Sequence, residues 1–288
     1  MQSVLVTGAT SLIGHFLLPR LAEQRIPVVA ISHRLPAPEG ACLANDYNQG
    51  WLLQDITQPF TLPSPCDTLI HLAPIWLLPR LLDSLQSQLP PRIIAISSTS
   101  RFSKQLSSSL GERETARKLT EAEDWLARFG QLHQLDWTIF RPTLIYGAGL
   151  DQNITTIARF IQRFGFFPVI GKARGLRQPI HANDVANACI DCLRNPNTFR
   201  HAYNLSGGET LTYRQMVERI FQHLGKPARI LPIPLPAFRL AIQLSHVLPR
   251  FQTLTPAMAE RMNADLVFPA DKAIEDFSFT SRSFTRLT

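Results

Sequence analysis

The sequence predicts a doubly wound α/β fold, a parallel sheet between two helical layers, on three observations. Short apolar runs ("SVLVT", "PVVAI", "DTLIHL", "RIIAIS", "DWTIF") alternate with longer stretches whose apolar residues recur at helical spacing. The runs lack a polar face, as expected of strands covered on both sides. A glycine-bearing turn, "TGATSLIG", joins the first run directly to the first helical stretch.

Taken in order, "SVLVT" reads as a strand and "IGHFLLPRLAEQ" as a helix, then "PVVAI" as a second strand and "DTLIHL" as a later one. The helical "WLLPRLLDSLQSQL" leads to the strand "RIIAIS", and "GERETARKLTEAEDWL" is a helix before "DWTIF". After "RPTLIYGAG" the rhythm changes: proline and glycine cluster, helices dominate and strands such as "AYNL" stand alone. The expected division is therefore 1–145 for the doubly wound unit and 146–288 for a smaller, mostly helical part, interleaved with the first and sharing a cleft with it. Within the second part, "RILPIPLPAFRLAIQLSHVLPRF" mixes apolar and basic residues. It suits a cover over a substrate cleft, the preferred reading, or an interfacial helix on a membrane surface.

The chain has 288 residues, 45% of them hydrophobic and 18% charged, which excludes wholesale disorder. Its formal charge of +7 is spread without a run of five like charges, so phosphate-bearing small molecules fit the excess better than nucleic acid does. No basic flank precedes the first apolar run and no stretch reaches the ~18 apolar residues of a spanning helix, so a cytoplasmic protein is expected. Of the four cysteines, Cys189 and Cys192 form a CxxC inside a helical pattern with no second ligand pair, and read as small apolar residues rather than a metal site.

The turn carries the chemistry. Gly8 follows a strand and Gly14 opens a helix, so backbone N–H groups and the positive end of the helix dipole converge where a pyrophosphate can lie. Thr10, Ser11, Leu12 and Ile13 fill the turn, with Ser11 where a third glycine is common. The second strand ends "AISHR", without the acidic residue that selects a free ribose 2′-hydroxyl; Arg34 suits a 2′-phosphate, which leans the expectation to NADP over NAD. Asp55, followed by Ile56, is placed to reach the adenine, and Leu72, Ala73 and Pro74 end the strand at the crevice the cofactor should cross.

In "TGATSLIG", "LIHLAP", "AISSTS", "KLTEAE", "RPTLIYGAG", "RQPIHANDVANA" and "NADLVFPADKAIEDFSF", the chain resembles the extended short-chain dehydrogenase/reductases of the NAD-dependent epimerase/dehydratase type, which act mostly on nucleotide sugars. The resemblance implies a Rossmann-like sheet and a C-terminal substrate-binding part. It also implies a homodimer paired through the Lys118 helix and its neighbour. In that family a tyrosine and a lysine four residues on act together with a Ser or Thr at the preceding strand end. Carried across, the lysine is Lys118, which would also touch the nicotinamide ribose, and the hydroxyl is Ser98 or else Thr99.

The tyrosine position falls on Glu114. A carboxylate beside an ammonium is ionised at neutral pH and can accept a proton but rarely donate one, whereas burial in an apolar pocket would raise its pKa and let it serve as an acid. Tyr146 and His181 are other conceivable donors and substrate contacts, and Arg141, Arg174 and Arg177 suit a diphosphate. Two readings follow: an oxidoreductase or epimerase-dehydratase using Ser98, Thr99, Glu114 and Lys118, or a non-catalytic dinucleotide-binding relative with a structural, redox-sensing or docking role.

Overall fold

In the computed structural model, residues 3–33, 49–85, 88–238 and 256–284 are described. Strand β1 (Val4–Thr7) is wholly buried, and the turn after it feeds α1 (Leu12–Glu23). Then come β2 (Val28–Ser32), β3 (Gln49–Leu53), β4 (Thr68–His71) and α2 (Leu78–Ser84). Strand β5 (Arg92–Ile96) leads through the short α3 (Ser100–Ser103) to the long α4 (Leu110–Leu132) and β6 (Asp136–Pro142).

The second part contributes β7 (Ile145–Tyr146), α5 (Ile154–Phe164), β8 (Phe167–Ile170), β9 (Leu176–Arg177), β10 (Ile180–His181), α6 (Ala182–Asp191) and β11 (His201–Leu205). It continues with β12 (Leu211–Thr212), α7 (Tyr213–His223), β13 (Ile230–Ile233), α8 (Pro256–Asn263) and α9 (Asp271–Phe277).

Seven strands form one sheet in the order β11-β6-β5-β4-β1-β2-β3, and every pair in it is parallel. One face is covered by α1 and α6, whose Leu17, Leu18, Val185 and Ala188 pack on Val4, Val6 and Ile94. The other is covered by α2 and α4, with Leu78, Leu82, Leu119 and Leu126 on Leu69, Ile93 and Ala95. Strand β11 and helix α6 both lie beyond residue 146, so the two parts meet within a single sheet and its covering layer. A separate core gathers Tyr146, Ile161, Val169, Phe221 and Phe284 between α5, β8 and α7.

Cys189 on α6 and Cys192 at its C-cap are fully buried, and burial pushes the Cys192 thiol up to about 12, which leaves it an inert, protonated packing group. No helix among the described residues is long and apolar enough to cross a membrane.

Candidate functional site

The order of the sheet reverses at β1, which lies between β4 and β2, and at such a switch point the loops diverge and leave a crevice beyond the strand ends. The Gly8–Gly14 turn sits there. Gly8 has φ +67°, and a Cβ on it would lie 2.6 Å from the Ala73 nitrogen and 2.8 Å from the Leu72 carbonyl carbon. Only glycine allows both this backbone conformation and this approach of the turn to the end of β4. A Cβ on Gly14 would meet the Ala9 carbonyl oxygen at 2.1 Å, so the first turn of α1 is pressed against the loop.

Ser11 is the N-cap of α1: its hydroxyl accepts from the Gly14 amide at 3.2 Å, and its own amide donates to the Gly8 carbonyl at 2.9 Å. The first-turn amides of Leu12 and Ile13 have no carbonyl four residues back within the helix, and they remain at the positive end of its dipole. Thr10 is exposed, and its hydroxyl lies 3.1 Å from that of Ser32 at the end of β2. Beneath the turn, Thr7 Oγ1 meets His71 Nδ1 at 2.7 Å, and burial holds His71 down at about 4, a neutral imidazole.

Around the crevice, Leu72 is buried and its amide donates to Thr7, which fixes the Leu72–Ala73–Pro74 strand end beside Gly8. Asp55 is exposed in the loop after β3; its carboxylate accepts the amide and hydroxyl of Thr57, which hold it below the usual carboxylate range, while Ile56 packs inward. Arg34 lies outside the described residues, as does Cys42.

At the end of β5, Ser98 Oγ accepts the Ser100 amide at 3.1 Å and keeps its own proton to donate. Thr99 is buried and donates its hydroxyl proton to the Pro142 carbonyl at 3.3 Å. Ser98 is therefore the freer of the two hydroxyls.

Helix α4 presents two different faces. Glu114 accepts a bidentate pair from Arg117 at 2.8 and 2.7 Å, and Arg117 also reaches Glu121 at 2.6 Å. Lys118 Nζ stands 3.7 Å from Glu114, with the two side chains 47% and 45% exposed. The Arg117 hydrogen bonds, then the Arg117 and Lys118 charges, hold Glu114 below the usual carboxylate range. The buried stripe is Ala116, Leu119, Ala122, Glu123 and Leu126, so Lys118 and its immediate neighbour Leu119 project about 100° apart around the axis.

Glu123 is what this stripe brings to the strand ends. It is 2% exposed, accepts Ser97 Oγ at 2.5 Å and Arg141 at 2.8 and 2.5 Å, and is also bonded by Arg101. Both guanidiniums lie over Phe102, at 5.7 and 5.3 Å, and Phe102 stacks on Phe268 of the second part. The residue has no motif of its own, and a trace of it in the sequence is an acid on the apolar stripe of α4. Arg141, a diphosphate candidate by sequence, is turned to this carboxylate.

Tyr146 and His181 pair across β7 and β10, with rings edge to face at 5.1 Å. His181 Nδ1 accepts the Asn183 amide as the N-cap of α6, which puts the proton on Nε2. That Nε2 and the Tyr146 hydroxyl are buried without a hydrogen-bond partner among the described residues. Burial raises Tyr146 to about 12 and lowers His181, so both stay neutral near pH 7. Phe16 of α1 touches the His181 ring at 5.1 Å, which sets this pair against the helix of the phosphate turn. Arg177 is buried instead in the second part, donating to the Leu176 and Ala264 carbonyls at 2.6 and 2.8 Å.

Residues 77–206 match the family model described as the NAD dependent epimerase/dehydratase family. The match covers less than half of the chain, and it is a likeness of this segment to that family. The match begins after β4, so the family signal comes from β5, α4, β6 and the "RQPIHANDVANA" stretch and not from the Gly8 turn.

The chain is 24% identical over 121 residues to UDP-glucose 4-epimerase of Vibrio cholerae, covering 42% of this chain and 37% of that protein. It is 27% identical over 100 residues to the NADH dehydrogenase [ubiquinone] 1 alpha subcomplex subunit 9 of Arabidopsis thaliana mitochondria, covering 34% and 25%. The curated relatives it matches are matched over about a quarter to about a third of their own length. The fold is that of DesIV, a dTDP-glucose 4,6-dehydratase of Streptomyces venezuelae solved with NAD bound: TM-score 0.73 at 15% identity, over 98% of this chain and 93% of that one.

Proposed function

We propose that the chain binds a nicotinamide dinucleotide across the strand ends at β1 and β4 and acts as an oxidoreductase or epimerase-dehydratase on a nucleotide sugar or similar polar, phosphate-bearing substrate. The observation that carries the reading is the Gly8 turn, packed without room for a Cβ on Leu72 and Ala73, with the capped N-terminus of α1 aimed into the crevice. Gly8, Gly14 and the amides of Leu12 and Ile13 would hold the pyrophosphate, with Asp55 toward the adenine and Leu72 to Pro74 along the crossing. The bound nicotinamide would supply hydride chemistry. Support comes from the family segment and from relatives whose names are those of nucleotide-sugar enzymes.

Within this reading Ser98 holds the reacting oxygen, since its proton is free, and Tyr146 and His181 offer an O–H and an N–H to the substrate. Glu114, held ionised by Arg117, accepts a proton but does not supply one. Ser32 and His33 carry no acid, and with Arg34 beside them the preference is for NADP. Turnover of a nucleotide-sugar panel with NADPH or NADH tests the activity. Ser98→Ala should lower kcat by ~10²-fold or more, the scale of a lost proton-handling group. Arg34→Ala should weaken NADPH far more than NADH, and equal loss for both would end the NADP assignment.

A second reading is favoured by one observation: Glu114 and Lys118 lie in a solvent-facing ladder with Arg117 and Glu121, while Leu119 occupies the inward stripe. In it the dinucleotide is a structural or redox-reporting ligand. Tight coenzyme binding with no turnover, unchanged by Lys118→Ala, would decide for it.

A further inference from the structure

No run of like charges marks the basic excess of this chain, but cations gather along one edge of the second part, even with Arg177 buried and Arg219 paired with Glu209. Segments 151–178 and 213–238 hold nine Lys or Arg against two acidic residues, a net +7 equal to that of the whole chain. They meet where α5 runs into β8 and where β13 pairs with β8, Ile230 opposite Phe167 and Ile233 opposite Ile170. Along this edge the chain exposes an apolar run: of residues 231–237, "LPIPLPA", all but Ile233 are exposed, with Leu231 at 51% and Leu235 at 42%. Phe164, 51% exposed at the end of α5, adds a ring backed by Phe160 and Phe166 and carries the Arg163 guanidinium 5.3 Å above it. Lys226 is held at this end by the Gln162 carbonyl, 2.9 Å away, and the Arg229 carbonyl accepts the Phe167 amide. Lys172 is exposed at the far end, next to Gly171, whose amide bonds Ile233.

We propose that this edge, Phe164 with Leu231 and Leu235 flanked by Arg163, Arg229 and Lys172, is a docking surface for an anionic lipid bilayer. Exposed aliphatic and aromatic side chains in segments that also expose cations match the boundary between acyl chains and anionic headgroups. A run of exposed apolar residues is costly in water unless something covers it. A protein strand is a poor cover: Pro232, Pro234 and Pro236 remove the amides that a pairing strand would need. Residues 239–251 of the stretch read from sequence as a cleft cover lie outside the described residues; the surface proposed here uses 231–237 and is independent of the coenzyme reading.

The test is sedimentation of the full chain with vesicles of phosphatidylcholine alone or mixed with phosphatidylglycerol. The chain should partition onto the anionic vesicles only, and release in high salt. Arg163→Gln with Arg229→Gln should lower that partition about 30-fold, from ~1 kcal/mol per cation near the surface. Leu231→Ser with Leu235→Ser, or Phe164→Ser alone, should lower it tenfold or more, with circular dichroism and coenzyme binding unchanged. No partition, equal partition onto both vesicles, or loss only in the cation variant would overturn the proposal; the last would mark a plain polyanion or soluble-partner surface.

Discussion

Glu123 shows how much of a site can rest on one side chain. Its carboxylate joins the ends of β5 and β6 and the helix α3 through Ser97, Arg141 and Arg101, and removing the charge leaves two guanidiniums facing each other. Glu123→Gln should cost about 2–3 kcal/mol in urea unfolding, below the 3–5 of a fully buried pair because both arginines are partly exposed. The sequence hid this residue because its partners lie 18 to 26 positions away and meet it only once the sheet has formed. His71 is a second such residue. Its folded value of about 4 lies below the unfolded 6.5, so the unfolded chain binds the proton first: the stabilisation is complete above 6.5 and is lost as pH falls toward 4. Denaturation at pH 7 and pH 4.5 should differ by roughly 2–3 kcal/mol from this group, a difference that His71→Asn removes.

At the scale of elements, the strand-turn-helix at the N-terminus was legible because its requirements are local: a buried strand, a glycine at φ +67° and a serine cap lie within eleven residues. Gly8→Ala should therefore do double damage, through positive φ and the contact with Ala73, with a loss of about 2 kcal/mol or more in stability and of coenzyme binding together. Helix α4 was legible as a helix, but which of its faces meets the crevice was not. The spacing from Glu114 to Lys118 fits an active pair and a surface pair equally well, and the packing of Leu119 and Glu123 shows only which stripe of the helix is buried. Glu114→Gln should leave the unfolding midpoint unchanged within error, as exposed ion pairs do. A large destabilisation would mean that the ladder does more than cover the helix.

On the scale of the whole molecule, five of the seven parallel strands and the two helical layers follow from the alternation of apolar runs, which is why the fold class could be read ahead of the structure. The return of β11 to the edge of the sheet could not, since nothing local marks "AYNL" as the partner of β6. That return ties the second part to the sheet, and the stacking of Phe102 on Phe268 ties it to the far side of the crevice. Isothermal titration of the folded chain with NAD, NADH, NADP and NADPH measures what this architecture is for. Heat of binding to at least one of them, abolished in Gly8→Ala, is the expected result, whereas no heat with any of the four, from protein that unfolds cooperatively, would contradict a dinucleotide site at β1.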